Sequence, residues 1–559
     1  MKSRKTKLHG FKKARSYLSI TTGGATMKSD ARKRSMSVAL VVTVALALVV
    51  AVVAGAQEIP PGPWTSLPDY IGAPAKAHPT ANNGVPQNPF LAPNPFSHGH
   101  KDIWMSDTAN VAGPLGRNPV ILSTTLPKTH DHWLTPCGNV VFDSHGRLIL
   151  TCFGWDEASL VMLDPDTLEV LTHKDLDVVT GLPVGEGGQD FPPSMWAIYG
   201  YLDNLDQMHM VAKGRKIITL GEAGSASSPE FVKVGEGYDL GELLDETQDS
   251  VRGVIVDFQG RYWIWVARTA TIYLLNPDTY HGIGDLKSID LGEGEFIRNG
   301  LTLTREGAVY IVTTKAMYRV EAGADDQPYI VWAEAYDNSY ADNHEIKVRP
   351  GQTEQGSGTT PTILGEGKYV AITDNAEQMQ VVVYRTEEKL NPGEKRIVCE
   401  VKVFDFEGGG IGAQWNSLVG LHNSIIVQNT ADYHWDWANY EDAHLETPSK
   451  PGIERVDIDP NGKGCTKVWV NTEVAGAMTL ELSTRTGLIY TQDRKWDAKN
   501  NVNAYYFVAL DFRTGEVVWE KLMGTGDKFD SIGMPVIIGP NKALYGPLQG
   551  GLTMLIDTY

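Results

Sequence analysis

The sequence predicts an all-β protein, most simply a β-propeller of eight blades with four antiparallel strands in each blade. Three observations lead to this fold class. A unit of four short strands recurs along the chain, its first hairpin turns lie about 45 to 70 residues apart, and no helical stretch separates the copies. The composition agrees with this reading, because 42% of the 559 residues are hydrophobic and 57 glycines are available for turns.

The repeated unit is clearest over residues 138–176. Its first two strands, GNVVFD and RLILTCFG, flank a turn at Gly146, and the strands SLVMLD and EVLTHKDL follow. A second copy spans residues 253–291. The first hairpin turns of the eight copies are predicted at Gly146, Gly214, Gly260, Gly307, Gly367, Asn423, Gly487 and Asn541.

The last copy is too short for four strands, because only about two more strands fit after Asn541. We expect Pro119–Leu126, near the N-terminus, to supply the outer strand of this copy. Such a closure removes the exposed sheet edge that an open array would leave. Seven blades would result if the copy near Met208 is irregular, and a pair of β-sandwiches is the alternative architecture.

Residues 1–56 have the pattern of an export signal. A basic stretch with the single acid Asp30 precedes an uncharged apolar run, Val38–Ala54, and the small residues Ala54 and Ala56 suit a cleavage site. An uncleaved anchor is the alternative, and it would be the only contact with a membrane. We expect an exported protein (periplasm, cell surface or secreted), with an irregular Pro- and Asn-rich lead-in at 57–118 and the propeller at 119–559.

Charge and cysteine content narrow the function classes. With 49 Lys+Arg against 68 Asp+Glu, the net charge of −19 argues against a general nucleic-acid binder. Loops that converge at the channel mouth favour a small-molecule substrate, and the aromatic residues of the loop 433–440 suit stacking on a glycan. Cys137 and Cys152 flank a hairpin and are predicted to form a cross-strand disulfide, whereas a catalytic Cys137 is the alternative. Cys399 and Cys465, on outer strands of successive blades, are candidates for a second bridge.

Candidate functional residues lie before the first strand and after the second strand of each copy, since these positions converge on one end of the channel. An acid there would act as a general base, and arginines would bind a carboxylate or a phosphate unless neighbouring acids pair with them. The predicted catalytic residues are Asp374, Asp493 and His132. The predicted ligand-binding residues are Arg252, Arg298, Asn299, Asn375, Asn416, Arg494 and the loop aromatic Trp435.

A divalent metal site is predicted from His130-Asp131-His132, because alternate residues of an extended segment project to the same side. His434 or Asp374 would complete a zinc site, and Asp374 with Asn299, Asn375 and Asn416 could instead supply oxygen ligands to calcium. The alternative is that these histidines and Asp/Asn side chains cap turns. His98 and His100 have the same spacing but are expected to be solvated in the lead-in.

The segment Ala509-x-Asp511-x-x-Thr514-Gly515-x-x-x-Trp519 resembles the blade motif of pyrroloquinoline-quinone (PQQ) propellers, and Leu163-Asp164-Pro165-Asp166-Thr167 resembles turns of the amine-dehydrogenase-like propellers. The resemblance covers the scaffold from about residue 119 to 559. It implies a quinoprotein-like oxidoreductase that binds PQQ and calcium. The chain departs from this family, because one copy alone has the full Trp motif and the vicinal Cys pair and Cys-x-x-Cys-His are absent.

Two further functions are compatible with the same fold. One is a metal-dependent hydrolase or lyase of the lactonase type, which would use the predicted metal site. The other is a non-catalytic binding scaffold at the cell surface.

Overall fold

The computed structural model describes residues 57–127, 137–153, 158–176, 199–244, 249–352, 354–415, 417–433, 449–476 and 478–558. In this part of the chain the strands form eight sheets, each with four antiparallel strands at its centre; the four are consecutive in seven sheets, and the eighth combines the last three strands of the chain with a strand from the N-terminal segment. The prediction of an eight-bladed β-propeller is therefore confirmed. Its blades are numbered 1 to 8 in chain order.

Three strands precede blade 1, namely β1 (Tyr70–Gly72), β2 (Thr108–Ala109) and β3 (Pro119–Thr124). Blades 1 and 2 contain β4 (Cys137–Phe142), β5 (Leu148–Phe153), β6 (Ala158–Leu163), β7 (Val170–Leu176), β8 (Tyr201–Leu202), β9 (Met208–Ala212), β10 (Lys216–Ser225) and β11 (Ser228–Lys233), and β12 (Tyr238–Asp239) pairs with β10. Blades 3 and 4 contain β13 (Val251–Val256), β14 (Tyr262–Val266), β15 (Thr271–Leu275), β16 (Lys287–Asp290), β17 (Thr302–Leu303), β18 (Val309–Val312), β19 (Ala316–Ala322) and β20 (Pro328–Ala335).

Blades 5 and 6 contain β21 (Thr362–Leu364), β22 (Tyr369–Thr373), β23 (Gln380–Arg385), β24 (Ile397–Lys402), β25 (Val419–Leu421), β26 (Ser424–Gln428), β27 (Ile453–Ile458) and β28 (Cys465–Asn471). Blades 7 and 8 contain β29 (Glu481–Ser483), β30 (Leu488–Asp497), β31 (Val502–Asp511), β32 (Val517–Thr525), β33 (Ile537–Ile538), β34 (Leu544–Leu548) and β35 (Gly551–Asp557). Short helices in the described residues are α1 (Ser339–Asn343) and the single 3-10 turns Ile283–Asp285, Gly365–Gly367 and Asp527–Phe529.

The first strand of each blade is innermost, and burial decreases outwards. Every residue of β4 and β13 is buried, whereas the outer strands β16 and β28 alternate between more and less exposed side chains. Continuous burial is expected where a strand packs between neighbouring blades on both faces, and alternation where one face meets water. The hydrophobic core therefore lies between the blades.

The ring closes as predicted. Strand β3 pairs with β35 from Pro119 opposite Asp557 to Thr124 opposite Leu552, so that the N-terminal segment supplies the outer strand of blade 8. One turn assignment is wrong: Gly214 joins β9 to β10, the second and third strands of blade 2. The innermost strand β8 has only two residues, and this short strand carries too little periodicity to be recognised in the sequence.

Aspartates fix the first hairpin turns of several blades. Asp143 Oδ1 accepts the backbone N–H groups of His145 (2.9 Å) and Arg147 (2.8 Å), while its Oδ2 accepts Nε–H of Arg147 (2.6 Å). Asp257 and Arg261 repeat this arrangement in blade 3. One carboxylate thus satisfies the turn amides and orders the next strand.

Two disulfides are present, as the cysteine spacing predicts. Cys137 and Cys152 lie directly opposite each other on β4 and β5, with their Cα atoms 3.9 Å apart. Cys399 on β24 and Cys465 on β28 join the outer strands of blades 5 and 6. The alternative of a catalytic Cys137 thiol is wrong, because its sulfur is in a disulfide.

The lead-in crosses the centre of the propeller. Backbone N–H groups of inner strands in five blades donate to carbonyl oxygens of residues 97–107, at 2.8 to 3.1 Å; the donor–acceptor pairs are Leu202–Ser97, Leu303–Ile103, Ile363–Trp104, Gly420–Ser106 and Leu482–Asp107. All side chains from Ser97 to Ala109 are buried. This segment satisfies the inner-strand amides that face the channel and fills the channel centre.

The buried lead-in carries several charges. The Lys101 ammonium lies 3.4 Å from the Glu481 carboxylate, and His100 Nδ1 lies 3.2 Å from Asp107 Oδ2. The expectation that His98 and His100 are solvated is wrong, since they are 3% and 4% exposed. Burial lowers the pKa of His98 to about 3, so this ring is neutral. Burying charged groups is costly unless they are paired, and these ion pairs offset part of that cost.

Within the residues that the structure describes, we find no helix with the length and apolar character needed to cross a membrane.

Candidate functional site

Two arginines and one glutamate from consecutive blades meet where the chain enters the inner strands. Arg252 is the second residue of β13, and Arg298 and Glu354 lie in the connections before β17 and β21. Arg252 Nη2 lies 3.3 Å from Glu354 Oε2, and Arg298 Nη1 lies 3.3 Å from Glu354 Oε1. Arg252 Nε also donates to the Arg298 carbonyl oxygen at 2.7 Å. We call these three residues the arginine–glutamate cluster.

Aromatic rings and hydrogen bonds hold the cluster in place. The Arg252 guanidinium carbon lies 5.8 Å from the centre of the Tyr199 ring, and that of Arg298 lies 4.9 Å from the Phe296 ring. Next to them, Asn299 Nδ2 donates to the Ser357 carbonyl oxygen at 3.3 Å. These contacts with planar rings stabilise guanidinium groups and restrict their orientation.

The cluster carries more positive than negative charge. Two guanidinium groups share one carboxylate, and the three residues are only 7%, 6% and 8% exposed. Burial lowers the pKa of Arg252 from its ordinary value, while the Glu354 carboxylate acts in the opposite direction. Because an arginine side chain stays protonated in proteins, the cluster retains a formal charge of about +1 when Glu354 is ionised. Such a group suits a carboxylate or a phosphate.

The sequence indicates Arg252, Arg298 and Asn299, but it misses Glu354. A glutamate between Gln352 and Gly356 has no pattern of its own in the sequence. In the structure, a Cβ added to nearby Gly358 would lie 1.7 Å from the Gln414 carbonyl oxygen. Only glycine lets this connection run so close to the next blade.

A second polar group lies on blades 6 to 8. The Arg494 guanidinium is 5.8 Å from the centre of the Tyr433 ring, and the Tyr433 hydroxyl donates to Asp530. The Tyr505 hydroxyl donates to the same carboxylate at 3.2 Å. Burial raises the pKa of both tyrosines well above the ordinary value, so that both hydroxyls stay donors.

Asp374 and Asp493, the two predicted general bases, already use their carboxylates in contacts within the protein. Asp374 Oδ1 accepts the N–H groups of Ala376 (3.2 Å) and Gln380 (2.8 Å), and its Oδ2 accepts the Gln380 amide at 2.9 Å. Burial raises the pKa of Asp374 to about 7. Asp493 accepts the Ala475 N–H at 2.8 Å and pairs with the Lys495 ammonium at 2.7 Å. Both residues therefore order loops of their own blades.

Asn375 belongs to the same loop as Asp374. Its Oδ1 accepts Arg349 Nε–H at 3.2 Å, and its Nδ2 donates to Asn338 Oδ1 at 2.7 Å. The contacts of Asp374 and Asn375 thus lie around the α1 connection and not at the arginine–glutamate cluster.

Five predicted site residues lie outside the described residues, namely His130, His132, Asn416, His434 and Trp435. The metal site that depends on them stays a prediction. Across the described ranges, no group of three or more His, Cys, Asp or Glu side chains is arranged to hold a metal ion.

The tryptophan of the PQQ-type motif has a packing role. Trp519 is fully buried on β32, where β1 pairs with it through Gly72 and the backbone of Gly116 packs against its indole ring. The described residues do not fit a quinone in the channel centre, because residues 97–109 fill that space. We therefore do not place a quinone in the channel centre.

Comparison with known proteins gives no family. No protein-family model matches the chain. An uncharacterized protein of Archaeoglobus fulgidus is 24% identical over 385 residues, which cover 66% of this chain and 68% of that protein.

Among solved structures, the chain is similar to streptogramin B lyase (10% identity, 82% of this chain, 100% of that chain, TM-score 0.37) and to BamB from Moraxella catarrhalis (10%, 78%, 98%, 0.40). It is also similar to Sqt1 of Chaetomium thermophilum bound to the N-terminus of the ribosomal protein L10 (9%, 77%, 98%, 0.42). Similarities this distant carry no argument about activity.

Proposed function

We propose that this chain is an exported β-propeller that binds an anionic small molecule at its channel mouth, with Arg252 and Arg298 as the anchoring groups. The observation that carries the proposal is that two buried guanidinium groups from neighbouring blades converge on the carboxylate of Glu354. Two arginines brought this close together could bind a ligand carboxylate or phosphate in bidentate geometry beside Glu354.

The positive charge of the arginine–glutamate cluster contrasts with the negative net charge of the whole protein. At −19 the chain repels anions in general, so a buried positive group at the mouth selects anions that also fit the site. Because the lead-in fills the channel centre, the channel mouth would be a cup closed at its base and not an open pore. A ligand would then enter and leave from the mouth alone.

Two features of the chain support export. Two disulfides on strands of the propeller suit an oxidising compartment. The basic and apolar N-terminal segment ending in Ala54-Gly55-Ala56 has the pattern of a signal peptide.

Native mass spectrometry of the mature chain, exported in a host supplied with PQQ and calcium, tests the proposal. We expect a bound organic anion that is retained by the parent protein and lost from Arg298→Met. A mass excess that matches PQQ would support the oxidoreductase hypothesis, and one that matches calcium or zinc alone would support the metal-dependent hydrolase or lyase. A bare polypeptide that also fails to bind added citrate would contradict the proposal and favour the non-catalytic scaffold.

A further inference from the structure

A groove of about 820 Å³ lies at the end of the propeller opposite the arginine–glutamate cluster. The cluster precedes the inner strands of its blades, whereas this groove is lined by hairpins that follow inner strands. Arg485 lies in the hairpin between β29 and β30, and Lys542 in the hairpin between β33 and β34. Arg117, just before β3, completes the basic lining.

The apolar wall of the groove is built from the lead-in and the C-terminal strand, and includes Pro74, Ala77, Leu115 and Ile556. The Leu115 carbonyl oxygen accepts the Ala75 N–H at 2.7 Å, and the Tyr490 hydroxyl donates to the Pro114 carbonyl oxygen at 2.8 Å. The first bond joins two stretches of the lead-in, and the second attaches them to blade 7. The groove is therefore a fixed feature of the fold.

The groove has one acid, Asp557, which attracts Arg117, so that three cations face one carboxylate in the lining. Asp557 accepts the backbone N–H groups of Leu115 (2.7 Å), Gly116 (3.1 Å) and Arg117 (2.9 Å). Its two oxygens are thus used by the main chain, and they fix the turn from which Arg117 projects.

The three basic side chains are exposed, and none of them forms an ion pair or a side-chain hydrogen bond within the described part of the chain. The whole chain has 68 acids against 49 bases, whereas the lining of this groove has three cations against the one acid Asp557. The sign of the charge is therefore locally reversed. An electrostatic field of this kind raises the local concentration of anions.

We propose that this groove binds an organic anion with two or more carboxylate or phosphate groups. The guanidinium groups of Arg117 and Arg485 would each hold one anionic group in bidentate geometry, and Lys542 would add a point charge. The carbon skeleton of the ligand would pack on the proline and alanine wall. The volume lies within the range of about 300 to 1,000 Å³ that small-molecule sites occupy.

Isothermal titration calorimetry with citrate and with fructose 1,6-bisphosphate tests this site, and uncharged fructose is the control ligand. The two anions distinguish carboxylate from phosphate recognition. We expect Arg485→Glu and Lys542→Glu each to weaken binding of the preferred anion at least about tenfold. Lys395→Glu is the matched variant, because Lys395 is an exposed lysine of blade 5 with the same change of charge and no ion pair within the described residues.

Equal affinities in Lys395→Glu, Lys542→Glu and Arg485→Glu would overturn the site, and so would the absence of heat from both anions at about 10 mM. All groove titrations use an Arg298→Met background, which removes an anchoring group of the channel mouth, so that the heat measured with citrate or the bisphosphate comes from the groove. The groove proposal can then be contradicted without contradicting the one at the channel mouth.

Discussion

The ammonium group of Lys101 lies 3.4 Å from the carboxylate of Glu481 in the centre of the propeller, and both side chains are almost fully buried. Lys101 belongs to the lead-in and Glu481 to the innermost strand of blade 7. This ion pair joins the N-terminal segment to the ring that forms 380 residues later. Several properties of the protein should depend on it and on its buried neighbours.

Replacing Lys101 by Met should destabilise the protein by about 3 to 5 kcal/mol, because Glu481 would be left buried without its partner. The measurement is the free energy of unfolding in urea. The double variant Lys101→Met/Glu481→Gln should recover a large part of the loss, since neither buried charge remains. Additive effects of the two single changes would show that the ion pair does not join the segments.

Asp102 should make the stability depend on pH. Burial raises its pKa from the ordinary 3.8 to about 7, although the Ser106 hydroxyl and two backbone N–H groups act in the opposite direction. The folded state thus holds the proton more tightly than the unfolded state. The resulting stabilisation is complete below about pH 4 and is lost as the pH rises through 7.

The variant Asp102→Asn cannot ionise, so its stability relative to the parent should increase by at least about 1 kcal/mol between pH 5 and pH 8. Unfolding by urea at the two pH values measures this difference. A neutral His98 is common to both proteins and cancels in the comparison. A stability difference that does not change with pH would contradict a raised pKa.

The disulfide between Cys399 and Cys465 spans 66 residues and links the outer strands of blades 5 and 6. Its removal in Cys399→Ala/Cys465→Ala should lower the free energy of unfolding by about 3 to 4 kcal/mol, because the unfolded chain gains freedom. Alkylation of the unreduced, denatured protein followed by mass spectrometry tests the bridge itself. We expect no modified cysteine, and four modified cysteines would contradict both disulfides.

Most of the scaffold could be predicted from the sequence, since turns such as Gly146 and Gly260 and the strand at Pro119 follow local rules. Blade 2 was harder to recognise in the sequence, because its innermost strand β8 consists only of Tyr201 and Leu202. The path of the lead-in could not be predicted, since its bonds to inner strands use backbone atoms that every residue carries.

The arginine–glutamate cluster could be predicted from the sequence only in part, because its contacts also join distant parts of the chain. Arg252 and Arg298 occupy positions that the repeat assigns to the channel mouth, but their common partner Glu354 comes from an irregular connection. Long-range pairing of side chains is set by the closed ring and not by local spacing. Asp374 illustrates the converse, because its own loop takes up both carboxylate oxygens.

The central claim is that Arg252 and Arg298 bind a ligand anion at the channel mouth, next to the carboxylate of Glu354. Isothermal titration calorimetry with citrate, in an Arg485→Glu background that removes the basic groove, tests it most directly. Glu345→Gln is the control for the change of charge, because Glu345 is an exposed acid in the same connection. Unfolding in urea checks that each variant is folded.

We predict that Glu354→Gln binds citrate about tenfold more tightly, since it removes a carboxylate that repels the ligand anion, and that Arg298→Met binds it at least about tenfold more weakly. Glu345→Gln should differ little from the parent. If the cluster served only to hold the blades together, Glu354→Gln and Arg298→Met would not change the citrate affinity in opposite directions. If citrate affinity falls in both variants, or changes in neither, the anion site at the channel mouth is contradicted.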